Sequence, residues 1–159
     1  MSREELFYAT MGLLRRNQVL TQMLDERAAE YLGINTTDAR AIDVIDQHNR
    51  IAAGDLAREL RLSTGAVTTL IDRLERAGFA RRVRDETDRR RVLIEVTPIV
   101  HERSAEIYGS PHDVFNEFGS AYNDEEAEVI YRFEKMSQEW LEERLARVEA
   151  LISAKRETN

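Results

Sequence analysis

The run GDLARELRLSTGAVTTLIDRLERAGFARRVRDETDRRRVLIEVTP, residues 54–98, decides the fold because its periodicity changes twice. Gly54 or Asp55 opens a short helix over Leu56–Arg61. Its inward positions are Leu56, Ala57 and Leu60, with Ala57 small enough for a second helix to pack closely. Leu62 plugs the turn, and Ser63 caps a helix that runs to about Ala77, ending at Gly78 where a left-handed residue is wanted. Val67, Leu70 and Leu74 recur at steps of three and four and form the inner stripe of that helix. The spacing then switches. FARRVR and RRVLIEV flank the tetrad Asp85-Glu86-Thr87-Asp88, which predicts a β-hairpin.

Two short helices joined by a tight turn and followed by a hairpin form a winged helix-turn-helix. Once the inner stripe is fixed, Thr64, Thr68, Thr69 and Arg73 fall on the outer face by helical geometry. Short hydroxyl side chains at a helix N-terminus reach base edges and thymine methyls without steric conflict. The N-terminus itself attracts phosphate. Ser63, Thr64, Gly65, Thr68, Thr69 and Arg73 are therefore candidate DNA contacts. Arg84, Arg89, Arg90 and Arg91 crowd the hairpin tip, as insertion into a narrow minor groove or phosphate contact requires, and Asp88 is spaced to orient Arg90. The competing reading of the helix pair is an ordinary αα-hairpin, and that of the hairpin a salt-bridged surface ribbon. Arg61 occupies the turn position where many helix-turn-helix units place glycine.

Outward from this stretch, apolar residues from Leu6 to Leu32 recur at helical steps, predicting one helix over 3–32 that stops at Gly33. A second helix starts at a threonine cap, Thr36 or Thr37, and runs to about His48. A fifth begins at Pro98 and breaks or kinks at Gly109-Ser110-Pro111, with Ser110 as cap and Pro111 in the first helical position. Asn123 and Glu126 look like a capping box for a sixth helix reaching about Ala154. Its apolar positions include Ile130, Phe133, Met136, Trp140, Leu141, Leu145, Val148 and Leu151. The expected fold is mainly α, six helices with a small β-hairpin wing. Residues 35–98 form the winged domain, and 1–34 and 99–159 supply dimerisation helices.

Charge follows the same division. The chain of 159 residues has a net charge of −7, yet residues 58–91 hold ten arginines against six acids. That leaves the middle four positive and the rest eleven negative. The absence of cysteine removes disulfides, thiolate nucleophiles and thiolate metal sites. His48, His101 and His112 are the only histidines and are not spaced with acids as metal ligands are. There is no nucleophile–base pair and no glycine-rich phosphate loop, so no enzyme, cofactor or metal is expected. The N-terminus lacks signal-peptide features and no run spans a membrane, so a cytoplasmic protein is expected.

Leu74-Glu75, Gly78, Arg82, Asp88-x-Arg90 and Thr97-Pro98, with LARELRLSTGAVTTLIDRLERAG ahead of them, resemble the MarR family of winged helix-turn-helix regulators. The match is dense over 54–98. It departs at Ile99–Val100, where many members carry a charged residue and glycine. The resemblance adds Arg82 to the DNA candidates and implies a homodimer whose first, fifth and sixth helices interleave. The long apolar stripes of the terminal helices support this, since a small winged domain cannot cover them. An intramolecular bundle is the alternative. Two recognition helices would then enter successive major grooves about 34 Å apart on a pseudo-palindromic site. The family implies repression of transcription, relieved by an anionic aromatic ligand. Candidate ligand residues are Tyr8, Met11, Arg15, Arg16, His48 and Tyr108. A winged-helix module that binds protein, and a sequence-independent architectural DNA binder, are the competing functions.

Overall fold

The computed structural model describes residues 1–88 and 91–157. It divides into two compact units, one from Met1 to Tyr108 and one from Gly109 onward. In the first unit, α1 spans Arg3–Leu32. Ser2 and Glu5 cap it reciprocally: the Glu5 amide donates to Ser2 Oγ at 3.1 Å, and the Ser2 amide to Glu5 Oε2 at 2.7 Å. Gly33, at φ 70°, ends it. Helix α2 spans Thr36–Gln47, but its cap is Asn35 and not a threonine. The Asn35 carboxamide, on an extended backbone, accepts the Asp38 amide at 2.9 Å.

A short strand that sequence reasoning missed follows, β1 at Ile51–Ala52. It sets the extended backbone of Ala52, so α3 (Ala53–Leu60) begins without a side-chain cap and ahead of Gly54. Its C-terminus is a Schellman turn. The Leu62 amide donates to the Ala57 carbonyl at 3.0 Å, which puts Arg61 in the left-handed region at φ 56°. The glycine-preferred place in the turn is thus occupied by arginine in glycine's conformation.

Helix α4 spans Thr64–Arg76 and is capped by Ser63, whose Oγ accepts the Ala66 amide. Gly78, at φ 80°, turns the chain into the hairpin of β2 (Ala80–Arg84) and β3 (Val92–Val96). Thr97 closes the base of the hairpin, its hydroxyl donating to the Gly78 carbonyl at 2.5 Å. The sheet is antiparallel, ordered β1-β3-β2, with Ile94 opposite both Ile51 and Arg82. Three strands, not a bare hairpin, therefore carry the wing. Helix α5 (Pro98–Tyr108) completes this unit.

One core holds it together. Ala41, Ile42 and Ile45 of α2, Leu56 and Ala57 of α3, and Val67, Leu70, Ile71 and Leu74 of α4 pack with Ile51, Phe79, Ala80, Ile94 and Val100. The inner stripe expected for α4 is buried, with Ile71 added to it. Helix α1 contributes little: only Ala28 and Ala29 are buried, while Leu6, Phe7, Leu13, Leu20, Met23 and Leu24 are exposed.

In the second unit, Ser110 caps α6 (Pro111–Glu117) in a box with Asp113, so the expected interruption is a full break. A 3₁₀ turn at Gly119–Ala121 leads to α7, Asp124–Glu157. Asn123 and Glu126 cap α7 reciprocally, each bond 3.0 Å long. The apolar row of α7, including Met136, Trp140, Leu141, Leu145, Val148 and Leu151, is exposed.

Candidate nucleic-acid interface

The candidate surface begins with α4. Thr64, Gly65, Thr68 and Thr69 are all exposed, on the side opposite the buried Val67, Leu70, Ile71 and Leu74. The Thr68 hydroxyl donates to the Thr64 carbonyl at 2.9 Å and the Thr69 hydroxyl to the Gly65 carbonyl at 3.1 Å. Ser63, exposed at the cap, accepts the Ala66 amide, and Thr64 and Gly65 of the first turn of α4 are exposed beside it.

Arg73 behaves differently from the expectation that it reaches phosphate or guanine. Its Nε and Nη2 donate to Asp38 at 2.9 and 2.5 Å, forming a two-point ion pair between α4 and the first turn of α2. Asp38 is only 2% exposed, so desolvation forces its carboxylate to be paired. Asn35 Nδ2 donates at 2.9 Å to Asp38 Oδ2, the oxygen that also accepts from Arg73 Nε. The hydrogen bonds from Arg73 to Asp38 hold the Arg73 pKa above its ordinary value.

Arg82 is likewise a brace. Its Nη2 donates to Asp72 at 2.8 Å, its Nη1 contacts Glu75, and its backbone amide donates to Glu75 Oε1 at 2.9 Å. Strand β2 is thereby tied to α4, and the Arg82 pKa is raised, first by its bond to Asp72. On the sheet, buried Glu95 accepts from Arg81 Nε and Arg50 Nε, each at 2.7 Å. These bonds, Arg81's first, lower the Glu95 pKa. Arg91 Nη2 donates to Asp55 of α3 at 3.2 Å. Arg84, exposed at the end of β2, forms no ion pair with any described residue.

The described part of the hairpin turn is organised by Asp85. Its Oδ1 accepts from the Thr87 amide at 2.8 Å, the Thr87 hydroxyl at 2.7 Å and the Asp88 amide at 3.3 Å. The Thr87 hydroxyl bond is the first cause of the lowered Asp85 pKa. Arg89 and Arg90, and with them the expected pairing of Asp88 with Arg90, lie outside the described residues.

Sequence reasoning missed Asp38 and Glu95, the buried acids of this unit. Each carried a signal: Glu95 interrupts the apolar strand VLIEV, and Asp38 follows a capping asparagine by three residues.

The six ligand candidates do not converge on one site. His48 lines a cleft of about 350 Å³ at the root of the wing with Asp55, Arg58, Glu59, Arg91 and Leu93, and its Nε2 lies 2.6 Å from Glu59. Tyr108 belongs elsewhere, against Asp25 of α1 and Asp43 of α2. Desolvation first, then those two acids, raise its pKa. Tyr8, Met11, Arg15 and Arg16 lie on α1 between nine and seventeen residues ahead of Asp25, roughly 14–26 Å along the helix axis. No group of histidine and acid side chains that could hold a metal occurs among the described residues.

A core of three helices, α2, α3 and α4, whose last member is capped and exposes its outer face, joined to a braced three-stranded wing, defines a winged helix-turn-helix protein. The MarR family model matches residues 34–92. The HTH-type transcriptional regulator YcgE of Bacillus subtilis (strain 168) is 33% identical over 147 residues, spanning 92% of this chain and 96% of that protein. The chain belongs to the MarR family and is a transcriptional regulator of that family. Solved structures agree on the fold. Staphylococcus aureus MepR, as its Q18P mutant, superposes with a TM-score of 0.63 at 20% identity, covering 83% of this chain and 96% of that one. Streptococcus pneumoniae FabT, solved in complex with DNA, gives a TM-score of 0.57 at 22% identity, covering 88% and 98%.

Proposed function

We propose that this chain acts as a homodimer that binds a pseudo-palindromic operator in double-stranded DNA, represses transcription there, and is released by a small anionic aromatic ligand. The observation that carries the reading is the exposed Ser63–Thr69 face of α4 in one compact unit with the wing. One element is shaped for the major groove, and the other carries Arg84, with Arg89 and Arg90 beside it in the sequence, for the backbone or minor groove. FabT, of like fold, was solved with DNA. Dimerisation is supported by the exposed apolar rows of α1 and of α7, each too extensive for a solvated monomer. Absence of a membrane-spanning helix among the described residues is consistent with a cytoplasmic site of action.

The test is selection of duplexes from genomic fragments, followed by gel shift and sedimentation equilibrium. A specific complex of two chains per site is expected. Arg90→Ala should weaken it more than about tenfold, the scale of removing one arginine from each half-site, while the dimer persists. Benzoate, as an anionic aromatic probe, should release the DNA. A monomer, or the absence of any enriched duplex, overturns the reading.

A further inference from the structure

We propose that α4 reads thymine methyl groups and not guanine, with Thr68 and Thr69 as the specificity-determining residues. This rests on the DNA-binding reading and adds to it the chemistry of the base contacted. A threonine hydroxyl has one proton. In Thr68 and Thr69 that proton is directed back into the helix, to the Thr64 carbonyl at 2.9 Å and the Gly65 carbonyl at 3.1 Å. What both exposed side chains offer outward is an acceptor oxygen and a γ-methyl group, not a donor.

Guanine shows the major groove two acceptors, N7 and O6, and demands donors, usually an arginine fork. The arginine placed to supply one on α4, Arg73, has Nε and Nη2 committed to Asp38. Arg76 stands in the last turn, seven residues beyond Thr69 and roughly 10 Å along the helix axis, with its Nε on the Asp72 carbonyl at 3.1 Å. The donors that remain at the other end, the Ser63 and Thr64 hydroxyls beside the first backbone amides, are placed for phosphate. Between those ends, α4 exposes Gly65, Ala66, Thr68, Thr69 and Asp72, and the Asp72 carboxylate is engaged by Arg82. An A·T pair complements that surface: the thymine C5-methyl packs against the γ-methyl groups, and the adenine N6 amino group donates to a threonine oxygen.

The experiment uses the full-length protein and the duplex it selects. Thymines of each half-site are replaced singly by deoxyuridine, which removes only the methyl, and guanines by 7-deazaguanine, which removes only the N7 acceptor. Uracil at one or two positions should weaken binding about fourfold, the effect of one buried methyl group. The penalty should disappear in Thr68→Ser or Thr69→Ser, which keep the hydroxyl and lose the γ-methyl. 7-Deazaguanine should leave affinity unchanged. A selected operator that tolerates uracil throughout, or that loses affinity with 7-deazaguanine, overturns this inference while leaving DNA binding standing. If no duplex is enriched, the DNA-binding reading itself fails and the inference falls with it.

Discussion

Arg73 of α4 closes a two-point ion pair on Asp38, a carboxylate 2% exposed in the first turn of α2. The pair fixes the orientation of α4 on the core from one side. Removing the acid leaves a guanidinium without its partner, and removing the base leaves a buried charge. Because the Arg73 side chain is 40% exposed, water compensates part of the loss. Asp38→Ala should therefore cost about 2 kcal/mol, below the 3–5 typical of fully buried pairs. Urea denaturation checks this. A change under about 0.5 kcal/mol would place the pair among ordinary surface contacts.

Arg82 and Arg84 lie two residues apart on β2, yet their geometry predicts different behaviour on DNA. Arg84 has no ion-pair partner among the described residues. Arg84→Ala should lower the slope of log affinity against log salt by about 0.9 for each phosphate left unneutralised. Arg82 is held by Asp72 and Glu75. Arg82→Ala should weaken operator binding by loosening the wing on α4 and leave that slope unchanged. Titrations across salt concentrations separate the two, and equal slope changes would refute the distinction.

Glu95 gives the wing an acid limit. Its two arginine bonds lower its pKa in the folded state below the ordinary 4.5. The stabilisation is therefore complete above that unfolded value and is lost as pH falls through the depressed folded value. Glu95→Gln should lower the melting temperature at pH 7, and the gap to the parent protein should narrow as pH drops below about 4. A gap independent of pH would show that the carboxylate's charge is not what matters.

Gly78 joins α4 to β2 at φ 80°, with open space where a side chain would project. Steric room does not relieve the backbone, since a Cβ in the left-handed region clashes with its own peptide. Gly78→Ala should destabilise by about 1 kcal/mol, measured by thermal melting. No change would mean that the turn relaxes to negative φ.

The order of elements was legible because it depends on local rules. Ser63, Gly33, Gly78, Ser110 and the Asn123–Glu126 pair mark helix ends through bonds within a few residues of themselves. The stripe Val67, Leu70, Leu74 fixed which face of α4 is inward, and hence which threonines are outward. Strand β1 was not legible: two residues carry no period, and Ile51–Ala52 is a strand only because β3 lies beside it.

By itself, then, the sequence determined every α-helix and strand but β1, the winged fold and the inward and outward faces, since backbone sterics, capping and burial periodicity act over a few neighbours. Tertiary structure alone decided which arginines are available to a ligand. Arg73, Arg81, Arg82 and Arg91 read identically to Arg84 along the chain. The first four meet Asp38, Glu95, Asp72 or Asp55 from other elements. Long flexible cations are claimed by whichever carboxylate folding brings within a few ångströms, and that distance is not encoded locally.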